Sequence, residues 1–324
     1  MRVAAIDIGS NSIRLLVADV EAAPGGMVVD AVARAGEICR LARNLDRTGT
    51  IEEAAALRAG TLAAEFVRRA RSLGARHIVV GATAAIRGAR NGSEVAEIVA
   101  RQAGVPVRVL TGDEEARLVY QSVILGLGRS ASRSACVAFD IGGGSTEVVS
   151  GVGASAGRWT SLPFGAVSLT ERHLRSDPPS PEEIENLEVE VRSIIMHDCA
   201  LLPSRVPLLV GVGGTVTVLA SMDRDLSSYD PALLEGWCIR PARLAGLIEQ
   251  LARSNQSDRR ARQIIGEGRA DIVVAGALVV SLLSERFPSA GLICSTQGLR
   301  YGLVRMAAEE ALAGPAPAEG DEDP

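Results

Sequence analysis

The chain opens on a short apolar run, Ala4-Ala5-Ile6, that ends at Asp7, and a second β-rich run, Ile13 to Val17, follows the small polar residues Gly9-Ser10-Asn11-Ser12. Two such runs across a tight turn predict a hairpin. The same figure returns in the second half, where Val137-Ala138-Phe139 ends at Asp140 and turns through Gly142-Gly143-Gly144-Ser145. AAIDIGSNSIRLLV (4–17) overlays VAFDIGGGSTEVVS (137–150) at a constant offset of 133 residues, so the chain reads as two related halves, each opening with a hairpin.

Between the repeats, helical and strand periodicities alternate. A helix is predicted over Ile51 to Leu73, a strand over His77 to Val80, a helical region over Ala82 to Gln102, a strand over Val107 to Leu110 and a helix from Asp113. That order predicts an α/β fold with a mostly parallel sheet covered by helices. Thr50 with Glu53, and Ser180 with Pro181 and Glu183, carry the capping-box pattern of helix starts, the second helix running to about Leu202. Further on, Pro207 to Val210 reads as a strand before the glycine turn Gly211 to Thr215 and another helix. Leu292 to Cys294 reads as the last strand, with a closing helix over about 298–312. The Gly/Ser-rich connection Gly126 to Ser134 predicts a lobe boundary: one lobe over 1–128, a second over 129–312, and a disordered Pro/Ala/acidic tail over 313–324.

Composition narrows the chemistry. All 34 basic residues are arginine, because the 324-residue chain contains no lysine. A Walker A loop, a Schiff-base enzyme and a lysine general base are thereby excluded. The net charge of −5 and only nine aromatic residues argue against nucleic-acid duplex binding and against a base-stacking platform. Five cysteines, odd in number and without a CxxC pair, predict neither a disulfide framework nor a zinc site and point to a reducing cytoplasm. The N-terminus reads as a strand and not as a signal peptide. The longest apolar stretch, Ile272 to Leu283, is shorter than the ~20 residues a membrane span needs, so no membrane partner is expected.

Turns of successive small residues expose several backbone N–H groups in one concavity, which suits phosphate oxygens. Two such turns on related lobes, each led by an aspartate, would bring both to one phosphate chain and both aspartates to one cation. The turn at Gly211 to Thr215, at a helix N-terminus, has the same affinity for anions, though a tight strand-to-helix connection accounts for it equally well.

The motifs DIGSNSIRLLV and DIGGGSTEVV, with ATAAIRGARN (82–91), TGDEEARLVYQSV (111–123), GVGGT from Gly211 and STQGLRYGLV (295–304), resemble the exopolyphosphatase/guanosine pentaphosphate phosphatase family over about residues 1–308. The resemblance implies two actin-like, ribonuclease H-like lobes with a cleft between them. It implies a Mg²⁺-dependent hydrolase that removes the terminal phosphate of inorganic polyphosphate or of guanosine pentaphosphate, and a homodimer. By the same resemblance Glu115 is the catalytic base and Arg87 the contact to the scissile phosphate. Asp140 and Glu147 hold the metal, with Asp7 sharing in that network. Ser10, Asn11, Ser12, Gly142, Gly143, Gly144 and Ser145 supply phosphate donors. A carboxylate base also fits the residues themselves, since no histidine lies in any motif.

Plainer explanations stand beside these roles. Asp113, Glu114 and Glu115 head a helix, where the dipole favours acids. Arg253, Arg259, Arg260, Arg262 and Arg269 read first as a solvent-facing helix and second as a grip on polyphosphate outside the cleft. His197-Asp198 reads as an incidental pair. Longer family members carry a helical C-terminal domain with an HD-type motif, and its absence here points to short-chain substrates. Gly266 to Asp271 departs from the Pro-Gly-Leu run expected before Arg-Ala-Asp. A kinase or ATPase of the same superfamily and a non-catalytic polyphosphate sensor are the rival readings.

Overall fold

The computed structural model describes residues 1–23, 26–128, 131–266 and 268–313. The expected tail, beyond residue 313, lies outside the described residues, as do residues 129–130 of the expected boundary. The chain begins with β1 (Arg2–Ile8), β2 (Ser12–Ala23), β3 (Gly26–Ile38), α1 (Leu45–Thr48), α2 (Glu53–Ser72), β4 (His77–Ala82), α3 (Ala84–Gly88), α4 (Gly92–Ala103), β5 (Val107–Val109) and α5 (Gly112–Leu127). Next come β6 (Ala135–Ile141), β7 (Thr146–Val152), β8 (Ser155–Leu162), α6 (Ala166–His173), α7 (Pro181–Asp198), β9 (Leu208–Val212), α8 (Gly214–Asp223), α9 (Pro231–Leu234) and β10 (Cys238–Ile239). The chain closes with α10 (Pro241–Arg253), α11 (Gln256–Ala261), α12 (Val273–Arg286), β11 (Leu292–Cys294) and α13 (Leu299–Ala313). None of the described helices is long and apolar enough to cross a membrane.

The repeat in sequence is a repeat in topology. The first sheet has the order β3-β2-β1-β4-β5, and the second, β10-β11-β9-β6-β7-β8, contains the same five-strand figure with β10 added at its edge. In both, the opening hairpin is antiparallel and the strand beyond it joins in parallel. The α/β two-lobed architecture expected from the repeat is the one observed.

The central strands are buried on both faces, which explains their nearly unbroken apolar runs. Ala4, Ile6 and Ile8 of β1 enter the core beneath α2 and α4, and Val137, Phe139 and Ile141 of β6 enter the core of the second lobe. Their alternate neighbours, Val3, Ala5, Cys136 and Ala138, face a third core shared by both sheets. Helices α5 and α13 fill that shared space: α13 packs on β1, β2, β4 and α5, and α5 on β7 and β8. By the two-residue period of a strand, Asp7 and Asp140 point to this same inner side. The apolar filling ends there and a cleft begins.

Local expectations fared unevenly. Ser180 accepts from the Glu183 amide and the Glu183 carboxylate accepts from the Ser180 amide, so the capping box at α7 forms. At Thr50 it does not: α2 begins at Glu53 with Glu52 as an uncapped N-cap, and the Thr50 amide donates to the Thr48 hydroxyl. The helical region after Ala82 divides into α3 and α4, and α7 ends at Asp198, short of Leu202. The third strand of each lobe, β3 and β8, was not anticipated.

Candidate active site

Both opening turns close with the same hydrogen bond, Gly9 N to Ser12 O at 3.1 Å and Gly142 N to Ser145 O at 3.0 Å. The amides of Ser10, Asn11, Gly143, Gly144 and Ser145 have no partner among the described residues. Meanwhile the turn carbonyls are occupied: Ala42 donates to Ser10, Cys39 and Arg40 to Asn11, Ala166 to Gly142, and Val167 and Ser168 to Gly143. Each turn is therefore fixed from behind, with free N–H groups in a nest suited to an anion.

The two turns face each other across one cavity. Its walls include Asp7, Ser10, Asn11, Ser12, Glu115, Asp140, Gly142, Gly143, Ser145 and Glu147. Gly144 is not among the wall residues and faces the opposite turn, where a Cβ would lie 3.2 Å from Ser10 Oγ. Strand register explains how the carboxylates gather. Asp7 pairs across its hairpin with Arg14, and Asp140 at the equivalent place pairs with Glu147. Cross-strand partners share a face, so the duplicated hairpin delivers an acid–base pair from one lobe and two acids from the other.

Glu147 is held by two hydroxyls, Ser145 Oγ at 2.8 Å and Ser161 Oγ at 2.9 Å, both donating to Oε1. The Ser145 side chain is thus committed to Glu147, while its amide remains free. Glu115 lies in the first turn of α5, whose N-cap Thr111 forms a full capping box with Glu114. Arg87, from α3, donates from Nη1 to Glu115 Oε2 and to the Leu110 carbonyl, both at 2.9 Å. Its remaining nitrogens have no partner among the described residues. Arg87 accordingly stands behind Glu115, beside the cavity and not among its wall residues.

Burial dominates the electrostatics. It raises Glu115 well above the usual carboxylate range, with Glu147 adding to the rise and Arg87 opposing it. Burial and then Glu147 push Asp140 up to about 7, and burial raises Asp7 and Glu147 as well. Carboxylates desolvated together favour a bound cation. Their all-oxygen character suits a hard ion such as magnesium. Among the described residues no group of three or more His, Cys, Asp or Glu is gathered closely enough to cage an ion alone. A cation here would complete its shell with water and phosphate oxygens, which is the habit of magnesium.

Several wall residues went unassigned in the sequence. Thr83, Arg14 and Arg269 reach the main cavity, and Arg300 reaches a second chamber that adjoins it at Asp7 and Asp140. Arg269 is therefore in the cleft and not on a solvent-facing helix. Arg259 is also buried, bound to the Ala270 carbonyl at 2.7 Å and to Asp177 at 2.9 Å, and serves the fold. Arg14 lies within the first repeat and Arg300 within STQGLR, so both were visible as motif members. Only lobe packing shows where they point. The His197 ring bonds its neighbour Asp198 and stands far out in solvent.

The sequence profile of the Ppx/GppA phosphatase family matches residues 16–310. Exopolyphosphatase 2 of Mycobacterium tuberculosis is 33% identical over 290 residues, covering 88% of this chain and 90% of that protein. Exopolyphosphatase 1 of Mycobacterium bovis is 30% identical over 310 residues, covering 94% and 87%. Among solved structures, the Aquifex aeolicus member of the Ppx/GppA family superposes with a TM-score of 0.79 at 29% identity, over 98% of this chain and 99% of that one.

Proposed function

The chain belongs to the Ppx/GppA phosphatase family, and from that premise we propose that it is an exopolyphosphatase, releasing orthophosphate from the end of inorganic polyphosphate. The observation that carries the reading is the cavity between two turns of unpartnered amides, with a buried carboxylate, Glu115, at its wall. Both relatives named above are exopolyphosphatases. The guanosine pentaphosphate alternative has no comparable support.

In this mechanism the turn amides of Ser10, Asn11, Gly143, Gly144 and Ser145 hold non-bridging oxygens of the terminal phosphates and place the end phosphorus near Glu115. Glu115 accepts the proton of the attacking water, and Arg87 fixes the carboxylate and turns its free nitrogens toward the departing phosphoryl charge. Asp140 and Glu147, with a share from Asp7, would hold Mg²⁺, which when bound supplies charge neutralisation at the phosphate oxygens. The five free cysteines are consistent with a cytoplasmic setting.

The test is phosphate release by the purified chain with Mg²⁺ on short polyphosphate, long polyphosphate and guanosine pentaphosphate side by side. Polyphosphate turnover is expected, and Glu115→Gln is expected to lose about two orders of magnitude or more in kcat. Near-normal turnover in Glu115→Gln overturns the mechanism. Release from none of the three, or from guanosine pentaphosphate alone, overturns the exopolyphosphatase reading.

A further inference from the structure

The two turns are each braced from behind, and the two braces touch. Behind the first turn runs the segment 39–48. Its Cys39 and Arg40 amides donate to the Asn11 carbonyl at 3.0 and 2.9 Å, and its Ala42 amide to the Ser10 carbonyl at 2.9 Å. Behind the second turn lies α6, whose first amides, Ala166, Val167 and Ser168, donate to the carbonyls of Gly142 and Gly143. The other end of α6 meets the segment. Both oxygens of the Glu171 carboxylate accept from the Asn44 amide, at 3.3 and 3.2 Å, and Arg172 pairs with Asp46 at 3.0 Å.

A second tie lies closer to the turns. Arg40 pairs at 3.1 Å with Asp271, which stands in the loop leading into α12, and α12 packs on α6. Only one Asp271 oxygen is engaged, and the other is buried without a partner. In the same loop the Gly268 carbonyl accepts from Asn11 Nδ2 at 3.3 Å. First turn, segment 39–48, α6 and second turn therefore form a closed ring. Arg40 is its junction, since its amide braces the first turn and its side chain ties to the second lobe.

The backbone shows that the segment is held in place by these contacts. Arg40 and Asn44, both tied residues, have φ of 50° and 58°. That region is costly for arginine and persists where the surroundings impose it. Leu41 and Ala42, between them, are fixed in the core of the first lobe. Neither Arg40 nor Asp271 is a wall residue of the cleft, so neither touches a ligand bound there.

We propose that Asp271, acting through Arg40, is a positioning residue that fixes the first turn against the second and thereby places the end phosphate relative to Glu115. The kinetic consequence rests on the exopolyphosphatase reading. The structural consequence does not: cutting the tie loosens the amides that brace the first turn, with or without substrate.

The experiment compares the full parent chain with Asp271→Asn, Arg40→Met, Arg40→Lys and the double variant Asp271→Asn/Arg40→Met. Amide hydrogen exchange is followed without ligand, and steady-state kinetics with Mg²⁺ and short polyphosphate. In Asp271→Asn, a replacement of equal size, the Cys39, Arg40 and Ala42 amides are expected to exchange about tenfold faster, with the amides of α2 and the Tm unchanged. A misplacement of about 1 Å costs on the order of a hundredfold, so a partial loosening is expected to lower kcat about tenfold while KM shifts less than about threefold. Arg40→Lys keeps the charge and is expected to retain most of the parent rate, whereas Arg40→Met is not. The double variant is expected to lose no more than either single one, because both cut the same tie.

Unchanged exchange at those three amides in Asp271→Asn overturns the proposal. So does a double variant whose loss is the product of the two single losses, or a rise in KM with kcat intact. Absence of turnover on every polyphosphate by the parent chain overturns the hydrolase reading instead, and faster exchange in Asp271→Asn would still support the tie.

Discussion

Glu115, the proposed base, has a proton affinity set by opposing neighbours. Burial and Glu147 favour its neutral form, and Arg87 favours the carboxylate that can accept a proton. Replacing Arg87 by Met removes the stabilising partner and raises the Glu115 pKa further. Since the deprotonated form is the active one, the acidic limb of the pH–rate profile should move to higher pH. Arg87→Lys keeps the charge but loses the planar fork, and should lower kcat by about tenfold to a hundredfold, the worth of one charge-assisted hydrogen bond. An unmoved acidic limb in Arg87→Met would show that another group controls it. At this scale the sequence was informative where a motif recurs: Asp7 and Asp140 reach one cavity as the duplicated hairpin suggested, and Glu115 and Glu147, singled out by the family resemblance, line it too. It placed Arg269 outside the cleft and gave Arg300 no role, because their direction depends on how the segments around α12 and α13 pack, which no local pattern encodes.

Caps and close helix contacts decide which elements hold their place. The α7 start is built around Glu183, which accepts from the Ser176 hydroxyl and from the Ser180, Arg175 and Ser176 amides and is held down to about 2 from its ordinary 4.5. A depressed carboxylate contributes stability above its unfolded value and loses it as pH falls through the folded one. Glu183→Gln should therefore lower Tm at pH 7 and lose that difference as pH falls from about 4.5 to about 2, and a gap that persists at pH 2 would assign the effect to packing. Where α13 crosses α5, a methyl on Gly302 would lie 2.7 Å from both the Leu118 Cβ and its carbonyl oxygen. Gly302→Ala should cost about 1–3 kcal/mol in urea unfolding despite the better helix propensity of alanine. Most elements were legible from period and punctuation. The strand β3 escaped because its exposed face carries Val28 and Val32 as well as Asp30 and Arg34, so the apolar–polar alternation that marks a half-buried strand is missing. Thr50 failed as a cap because α2 starts only at Glu53, after the N-cap Glu52, and the Thr50 amide that Glu53 would have accepted from is taken by Thr48.

The repeat announces two lobes, but their union depends on α5 and α13, which occupy the space between the sheets, α13 packed on the first, α5 on the second, and each on the other. At the rim, Arg40 pairs with Asp271 at 3.1 Å, Arg172 with Asp46 at 3.0 Å, and Asn11 Nδ2 donates to Gly268 O at 3.3 Å. Each lobe also keeps a core of its own, so a change at their junction should disturb the cleft before it unfolds the chain. Gly143 is the place to apply it. A methyl there would sit 2.8 Å from Ser10 Cβ on the opposite turn, 3.1 Å from Val167 Cγ2 and 3.4 Å from the Asn11 amide nitrogen. Little flexible side chain is available to yield, so the two turns must part. A misplacement of about 1 Å between reacting groups costs on the order of a hundredfold. Gly143→Ala should therefore lose about that much kcat/KM on short polyphosphate while its Tm stays within a few degrees of the parent. Gly246→Ala, where nothing lies within 4 Å on α10, is the control and should leave activity unchanged. Full activity in Gly143→Ala would mean that the turns tolerate separation and that the catalytic geometry is set by one lobe alone.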